Sequence, residues 1–330
     1  MGNFFSLVSI ENTKLWKRLS TKVMFCLLIL IIVLTAGVMK YYYVSNKVAT
    51  TTTVSASWKQ DLQKKLTAEK LQLKQINNSG SKVEKAESGS LEKSIAEDEY
   101  SINNNIKPKS ESNIWSSIAE MESNVGYGEI IALFLLISCS ALVAGEFSEG
   151  TMKMIISRPY KRYEILTAKL VATLIYGFEL LVSSFVVTFI VVGVLFGFTN
   201  MSAKEMFWNG SSISYMSSLL KTLIIFGLEF LRIIFYVLVA FALSAAFRSR
   251  SLATGFSLFI FLVGGGIVRI LAMYFAWGKY LPFGRDNFAY LVTNGSPIQG
   301  VTLLSAMVLT AIYALVFAFI GYFVFQKRDI

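Results

Sequence analysis

Four charged side chains lie away from the ends of otherwise apolar runs, and these residues are the best placed in the chain to do chemistry. They are Glu179, Glu229, Arg232 and Arg269. A charge in the middle of a membrane costs roughly 2.5–3.5 kcal/mol, so such residues should be paired or hydrated. Two interpretations stay open. The four residues line a polar translocation path, or they form structural pairs that hold neighbouring helices together.

Helical spacing indicates which of these charges can meet. Glu229 precedes Arg232 by three residues, which places both on one face of a helix. Counting about 1.5 Å per residue from the ends of the apolar runs puts Glu179 and Arg232 at a similar depth, with Arg269 closer to the outer surface. The sequence therefore predicts that Glu179 and Arg232 approach each other or share water.

The absence of histidine excludes several kinds of chemistry. Without it, the chain has no Ser/Cys–His–Asp nucleophile system, no His-ligated zinc and no His proton relay. The two cysteines, Cys26 and Cys139, lie in separate apolar runs and cannot form a Cys-rich metal site. No Gly-x-x-x-x-Gly-Lys-Ser/Thr phosphate loop is present either. We therefore expect that the chain is not an enzyme and that it holds neither a metal nor a cofactor.

Composition indicates that the elements carrying these residues are membrane-spanning helices. Of the 330 residues, 54% are hydrophobic and 16% charged, and the mean hydropathy is +0.57. A soluble domain needs more polar surface than this. A span needs roughly 20 mainly apolar residues. Six runs reach that size: 23–43, 125–145, 170–198, 219–247, 252–277 and 301–325. The predicted fold class is an all-α polytopic membrane protein with six transmembrane helices.

Basic residues in the short loops predict the orientation. They concentrate in residues 1–22 and 146–169, at 248–250 and at 327–328, which places both termini in the cytoplasm. The net charge of +10 then faces anionic lipid, so no nucleic-acid partner is expected. A cleaved signal peptide is the alternative for the start of the chain. The run Val23–Met39 is longer than the usual 7–15 apolar residues of such a peptide, which favours a retained span.

Three segments outside the spans have a readable pattern. Residues 1–22 predict a basic amphipathic helix on the inner membrane surface, with Phe4, Val8, Leu15 and Leu19 on its apolar face. In the outer segment 44–124, apolar stripes predict helices over 58–76 and 114–121. The polar stretch 77–112 predicts a mobile loop, and disorder of the whole segment is the alternative. The residues of the connection 278–300 allow a plain surface loop, whereas the family resemblance described below implies a segment that dips partly back into the membrane.

The link between the second and third spans, residues 146–169, carries a short predicted helix. Met152, Ile155 and Ile156 recur at helical spacing and give this helix one apolar side. Pro159 disfavours helix at the residue before it and so ends the helix. A helix of this kind can rest on lipid or insert into another protein, and the pattern alone does not separate the two.

This link resembles the signature of type-2 ABC exporter permeases. Members commonly carry a Glu, then Gly-Thr, a short apolar stretch, a Pro, an Arg, and a Lys that opens the next span. The matching residues are Glu146, Gly150, Thr151, Pro159, Arg162 and Lys169. Six spans, cytoplasmic termini, an amphipathic first helix and an outer segment after span one also fit, so the resemblance covers nearly the whole chain.

The resemblance implies a function and partners. In such permeases the link is a coupling helix that docks into a groove of a separate cytosolic ATPase, which binds ATP and magnesium. Two permease copies and two ATPase copies make the transporter, in this case in the plasma membrane of a bacterium. Two other classes stay open: a transporter or channel without an ATPase that uses the intramembrane charges, and a non-transporting membrane sensor or scaffold.

Overall fold

The computed structural model describes residues 4–46, 58–78, 82–107, 113–148, 160–247, 249–296, 298 and 300–327. Over these ranges the chain is mainly helical. The α-helices are α1 (Phe4–Lys17), α2 (Leu19–Asn46), α3 (Trp58–Asn78), α4 (Lys82–Asn103), α5 (Ile114–Val125), α6 (Tyr127–Ser148), α7 (Arg162–Phe196), α8 (Ser218–Ala246), α9 (Arg250–Tyr274), α10 (Phe288–Asn294) and α11 (Leu303–Lys327). A 3-10 helix covers Ala276–Tyr280. Strands β1 (Lys204–Trp208) and β2 (Ile213–Ser217) form an antiparallel hairpin.

Six of these helices are long and apolar enough to cross a membrane: α2, α6, α7, α8, α9 and α11. The prediction of six spans in a helical membrane protein is thereby confirmed. Several helices extend beyond the predicted runs. For example, α7 begins at Arg162 rather than at 170, because a helix continues through charged residues that a count of apolar residues leaves out.

Two helices form the centre of the bundle. α8 packs against α6, α7, α9 and α11, and most of α6 is buried inside the protein. The apolar surfaces of α2, α9 and α11 are largely exposed, as at Leu262 (66%) and Leu304 (72%). Exposed apolar surface of this extent suits contact with lipid. We call the end of the bundle where α6 ends and α7 begins the basic end, and the opposite end, which carries β1 and β2, the hairpin end.

The prediction of a mobile loop over 77–112 is wrong for residues 82–103, which form α4. α4 packs against α3, where the Lys65 ammonium lies 2.9 Å from the Asp98 carboxylate. Ile95 is buried. Ion pairs between helices hold this segment in place, and such pairs leave no apolar stripe in the sequence. The stripes at 58–76 and 114–121 are confirmed as α3 and α5.

α4 also contacts the connection between α9 and α11. The Lys93 ammonium donates a hydrogen bond to the Thr293 carbonyl oxygen. Gly89 lies so close to Ser296 that a β-carbon at Gly89 would overlap the Ser296 backbone carbonyl. In the same connection, Phe288 and Leu291 of α10 are buried. The hairpin end is therefore a packed cap on the bundle rather than a set of separate loops.

α1 lies along α7, with Leu7, Val8, Glu11 and Leu15 buried. The predicted apolar face is confirmed at Val8 and Leu15. It is wrong at Leu19, which belongs to α2 and is 77% exposed. A break in the helix between α1 and α2 changes the direction of the chain, so the helical periodicity does not continue across it.

Candidate functional site

Four charged side chains meet at the basic end and form what we call the lysine cluster: Glu11, Lys14, Glu146 and Lys169. The Lys169 ammonium is fully buried, 2.6 Å from the Glu146 carboxylate and 3.1 Å from the Glu11 carboxylate. The Lys14 ammonium lies 2.6 Å from the second Glu11 oxygen and 3.8 Å from Glu146. Two carboxylates and two ammonium groups therefore balance in charge where α1, α6 and α7 meet.

Electrostatics favours the ionised form of this cluster. Burial alone would raise the pKa of the Glu11 carboxyl, but the Lys169 and Lys14 charges outweigh it, and the pKa lies below its ordinary value. A buried pair of this kind is costly to break, because removing one partner strands the other charge away from water. The cluster therefore fixes the end of α6 and the start of α7 relative to each other and to α1.

The predicted contact between Glu179 and Arg232 is wrong. Instead, the Trp16 indole nitrogen donates a hydrogen bond to Glu179 at 2.6 Å, and the Asn12 side-chain amide donates another at 3.3 Å. Both donors lie on α1. A count of depth from the ends of the spans does not show that α1 packs beside α7 and supplies closer partners.

A second group of charges, which we call the arginine cluster, comprises Glu129, Glu229, Arg232 and Asp286. The Arg232 guanidinium lies 2.8 Å from the Glu129 carboxylate, 3.1 Å from Asp286 and 4.0 Å from Glu229. Glu229 and Arg232, which the spacing placed on one helix face, both belong to this cluster. The two shorter contacts come from α6 and from the loop after the 3-10 helix, which the sequence did not assign to Arg232.

Another carboxyl group lies next to this cluster, at Glu122 near the end of α5. It is fully buried and accepts a hydrogen bond from the Gly128 backbone N–H at 2.8 Å, while its other oxygen has no partner. Burial, with a smaller contribution from the Glu229 charge, raises the pKa of Glu122 to about 8. At neutral pH this side chain mainly carries a proton.

A cavity of about 310 Å³ adjoins the arginine cluster. Arg232, Arg269 and Arg285 line it, together with aromatic side chains such as Phe261 and Phe283. Arg269 was predicted from the sequence as an intramembrane charge, and it lies at this cavity on the exposed side of α9. It makes no ion pair or hydrogen bond with any residue in the ranges that the structure describes.

Most of the predicted coupling residues fall outside the described part of the chain. These are Gly150, Thr151, Met152, Ile155, Ile156 and Pro159. The three that are described lie on either side of that gap. Arg162 is exposed at the start of α7, whereas Glu146 and Lys169 are buried in the lysine cluster. In this conformation Lys169 cannot contact a partner protein directly, because none of its surface is exposed.

Sequence reasoning missed Glu11, Glu122, Glu129, Asp286 and Arg285 as members of these clusters. For two of them, the sequence contains a feature that indicates a buried charge. Glu11 is an acidic residue on the apolar face of an amphipathic helix, and Glu129 begins an apolar run. Burying a carboxylate in either place requires a cation nearby. The others are brought in by loops and by the end of α5, whose positions the spacing of residues does not reveal.

The apolar helices and the ion pairs buried between them define a multi-pass membrane protein. Comparison with known sequences identifies the family to which this membrane protein belongs. The profile of a family described as "Protein of unknown function (DUF2705)" matches residues 92–330, and the chain belongs to this family.

Two proteins of Bacillus subtilis (strain 168) are similar to this chain. "Uncharacterized protein YhcI" is 28% identical over 281 residues, which cover 84% of this chain and 85% of the relative. "Uncharacterized membrane protein YdbK" is 23% identical over 203 residues, which cover 61% of this chain and 78% of the relative. The name of the second agrees with the membrane character of the structure.

Proposed function

We propose that this protein is the membrane-spanning permease subunit of an ATP-driven ABC exporter. It forms the translocation path together with a second permease subunit, as a homodimer or a heterodimer. The permease pair works with two copies of a separate cytosolic ATPase that binds ATP and magnesium. The basic end then faces the cytoplasm and the hairpin end faces outward, in a bacterial plasma membrane. α1 lies at the inner membrane surface, and α3, α4 and α5 form the extracytoplasmic insertion. The permease itself is not an enzyme.

The observation that carries this proposal is the lysine cluster. A coupling segment transmits force only if the helices at its two ends move with it. The segment 149–159 joins the end of α6 to the residues just before α7, and the Glu146–Lys169 ion pair ties these two helices together across it. Glu11 ties α1 to the same point. A push on the segment would therefore move α1, α6 and α7 as one unit.

Copurification with the ATPase tests the proposal. If a reading frame beside its gene encodes an ATPase with a phosphate loop, the full chain is expressed with that ATPase and purified through a tag on the permease alone. We expect comparable amounts of the two proteins. Replacing Ile155 and Ile156 with Ser should remove most of the ATPase, since each buried aliphatic side chain contributes roughly 1.5–3 kcal/mol. Ile10→Ser, at an exposed apolar residue of α1, is the matched control and should leave the ATPase bound.

Two further readouts separate coupling from binding. Arg162→Ala should lower the ATP hydrolysis of the complex more than it lowers the amount of permease in the membrane. If the double Ser variant retains the ATPase at the parent level and only binds lipid less well, the link is an ordinary interfacial helix. The coupling role of the link would then be rejected, and the exporter proposal would rest on topology alone.

A second function is favoured by the arginine cluster. Three carboxylates surround Arg232, and Glu122 beside them carries a proton near neutral pH. Such a group could take up and release protons in a transporter that works without an ATPase. Proton uptake into vesicles that contain the purified chain alone would support this function. Glu122→Gln should abolish that uptake, and uptake that persists in the variant would argue against it.

A further inference from the structure

The cavity beside the arginine cluster has walls of two kinds. Phe261, Leu262 and Phe283 provide apolar surface, whereas Arg232, Arg269 and Arg285 provide three guanidinium groups. A site with one apolar wall and one cationic wall fits a molecule that carries both a hydrocarbon part and a negative charge. The volume of about 310 Å³ is enough for an anionic head group with a few attached carbon atoms.

Carboxylates also line the cavity, but they are already engaged. Glu129 and Asp286 both contact Arg232, and Glu129 accepts a further hydrogen bond from the Asn287 side-chain amide at 3.0 Å. With Glu229 also 4.0 Å away, carboxylates more than balance the charge of Arg232 within the protein. The remaining two guanidinium groups, of Arg269 and Arg285, have no acidic partner among the described residues.

Arg285 is the stronger sign of a missing partner. Its residue is only 8% exposed, and its buried Nε atom makes no hydrogen bond. An unpaired buried donor costs roughly 1–3 kcal/mol, and more when it is charged. Arginine does not escape this cost by losing its proton. An anion in the cavity that Arg285 lines would give this guanidinium group an acceptor.

The position of Arg269 identifies the level at which this anion lies. Arg269 is five residues before the end of α9 at Tyr274, which corresponds to about 7.5 Å along the helix. The exposed apolar residues Leu262 and Ile270 flank it on α9, on a surface that suits lipid. A long arginine side chain at this depth reaches the head-group level of a bilayer.

We propose that this cavity binds the phosphate group of an amphiphile, with Arg269 and Arg285 on the phosphate and the aromatic wall on the attached carbon chain. Guanidinium groups match the geometry of phosphate oxygens and form charge-assisted hydrogen bonds with them. The chemistry is shared by the head group of an anionic lipid and by a free phosphate ester. The inference does not depend on the proposed exporter function, because it concerns binding by this chain alone.

Binding to the purified full chain in a neutral detergent tests the proposal. The probe is phosphatidic acid with a dansyl group on one acyl chain, detected by energy transfer from tryptophan. We expect Arg269→Gln and Arg285→Gln each to raise the dissociation constant about tenfold, the loss of one charged hydrogen bond. Lys279→Gln is the control, since Lys279 is a cation at the same end of α9 that does not line the cavity. It should bind like the parent.

Competition identifies the source of the phosphate. Unlabelled phosphatidylglycerol should displace the probe, and diacylglycerol, which lacks phosphate, should not. If glycerol phosphate displaces the probe as well as phosphatidylglycerol does, the two arginines bind phosphate, but the proposed role of the aromatic wall in binding a carbon chain is overturned. Displacement by diacylglycerol, or equal loss of binding in all three variants, would overturn it. Because Arg269 is exposed and has no partner among the described residues, Arg269→Gln should fold normally, and parent-like binding by that variant would also overturn the proposal.

Discussion

At the scale of single residues, Lys169 has the most demanding environment in the protein. It is a fully buried cation that contacts Glu11 and Glu146 from two other helices. Lys169→Met would leave two carboxylates buried together, at a cost of about 3–5 kcal/mol. We expect a marked fall in the thermal unfolding midpoint of the detergent-purified protein. Lys17→Met, at an exposed lysine of α1, is the matched control and should change it little.

A second substitution distinguishes the ion pair from simple packing. Adding Glu146→Gln to Lys169→Met removes one of the stranded charges, so the double variant should recover part of the lost stability. If the two effects simply add, Lys169 and Glu146 are not coupled, and the lysine cluster does not tie α6 to α7.

Glu122 predicts how stability depends on pH. Its pKa is about 8 in the folded protein and is near the ordinary value of 4.5 when the chain unfolds. Below pH 4.5 both states carry the proton, and the full contribution to stability is present. It is lost as the pH rises from 4.5 towards 8, because the unfolded chain releases the proton that the folded state must keep on the buried carboxyl. Thermal midpoints measured from pH 5 to pH 8 should fall in the parent. The thermal midpoint of Glu122→Gln should fall less over this range. Identical pH profiles for the parent and the variant would refute the raised pKa of Glu122.

Residue-scale features of the site could be predicted from the sequence only where they depend on one helix. The position of Glu229 and Arg232 on one face of α8 followed from their spacing. The depth of Arg232 in the membrane could not be predicted from spacing, because α8 is 29 residues long and therefore longer than the hydrocarbon layer is thick. A hydrocarbon layer about 30 Å thick that begins at Ala246 would end near residue 226 of α8. Arg232 then lies about 9 Å inside the membrane boundary at the hairpin end. Glu179 pairs elsewhere, with α1.

At the scale of elements, a run of three glycines lets a loop pack against α9. A β-carbon at Gly265 would lie 2.9 Å from the Phe283 backbone oxygen, whereas one at Gly266 would meet nothing within 4 Å. Phe283 itself has a φ of 71°, a conformation that side chains of this size rarely adopt. A side chain at Gly265 would therefore meet the loop at a residue whose backbone is already strained.

This difference between neighbouring glycines gives a matched pair of substitutions. Gly265→Ala should destabilise the protein by about 1–3 kcal/mol, because it pushes the loop out of place. Gly266→Ala should be neutral or stabilising by up to about 1 kcal/mol, since alanine favours helix more than glycine does. Chemical or thermal unfolding of both variants measures the difference. Equal effects would show that the close approach at Gly265 is not important.

Helix patterns that rest on apolar periodicity were predictable, and those that rest on polar contacts were not. α3 and α5 each present an apolar stripe, and both were predicted. α4 has little apolar content and is held by contacts such as the pair between Lys65 and Asp98. The strands β1 and β2 are five residues each and were not predicted, since short strands next to long spans carry too few residues to show a period of two.

At the scale of the whole molecule, the six spans were predictable because a long apolar run has few alternatives to a membrane helix. The orientation predicted by basic residues can be tested directly. In a Cys26→Ser background, Ser211→Cys should react with a membrane-impermeant thiol reagent in intact cells. Lys17→Cys should react only after the cells are opened. Cys139 is buried and should stay silent in both. The reverse pattern would invert the orientation and the proposed site of ATPase contact.

The position of α1 has a consequence for the way the protein is made. Glu11 contacts Lys169, which follows it by 158 residues, and Trp16 contacts Glu179, which follows it by 163. Ribosomes add roughly 5–20 residues per second, so α1 waits on the order of 10–30 s for its partners to be synthesised. Throughout that interval its buried face, including the Glu11 carboxylate, has no protein to rest on. α1 is therefore translated long before the helix against which it docks, and any chaperone or protease that captures it early competes directly with assembly.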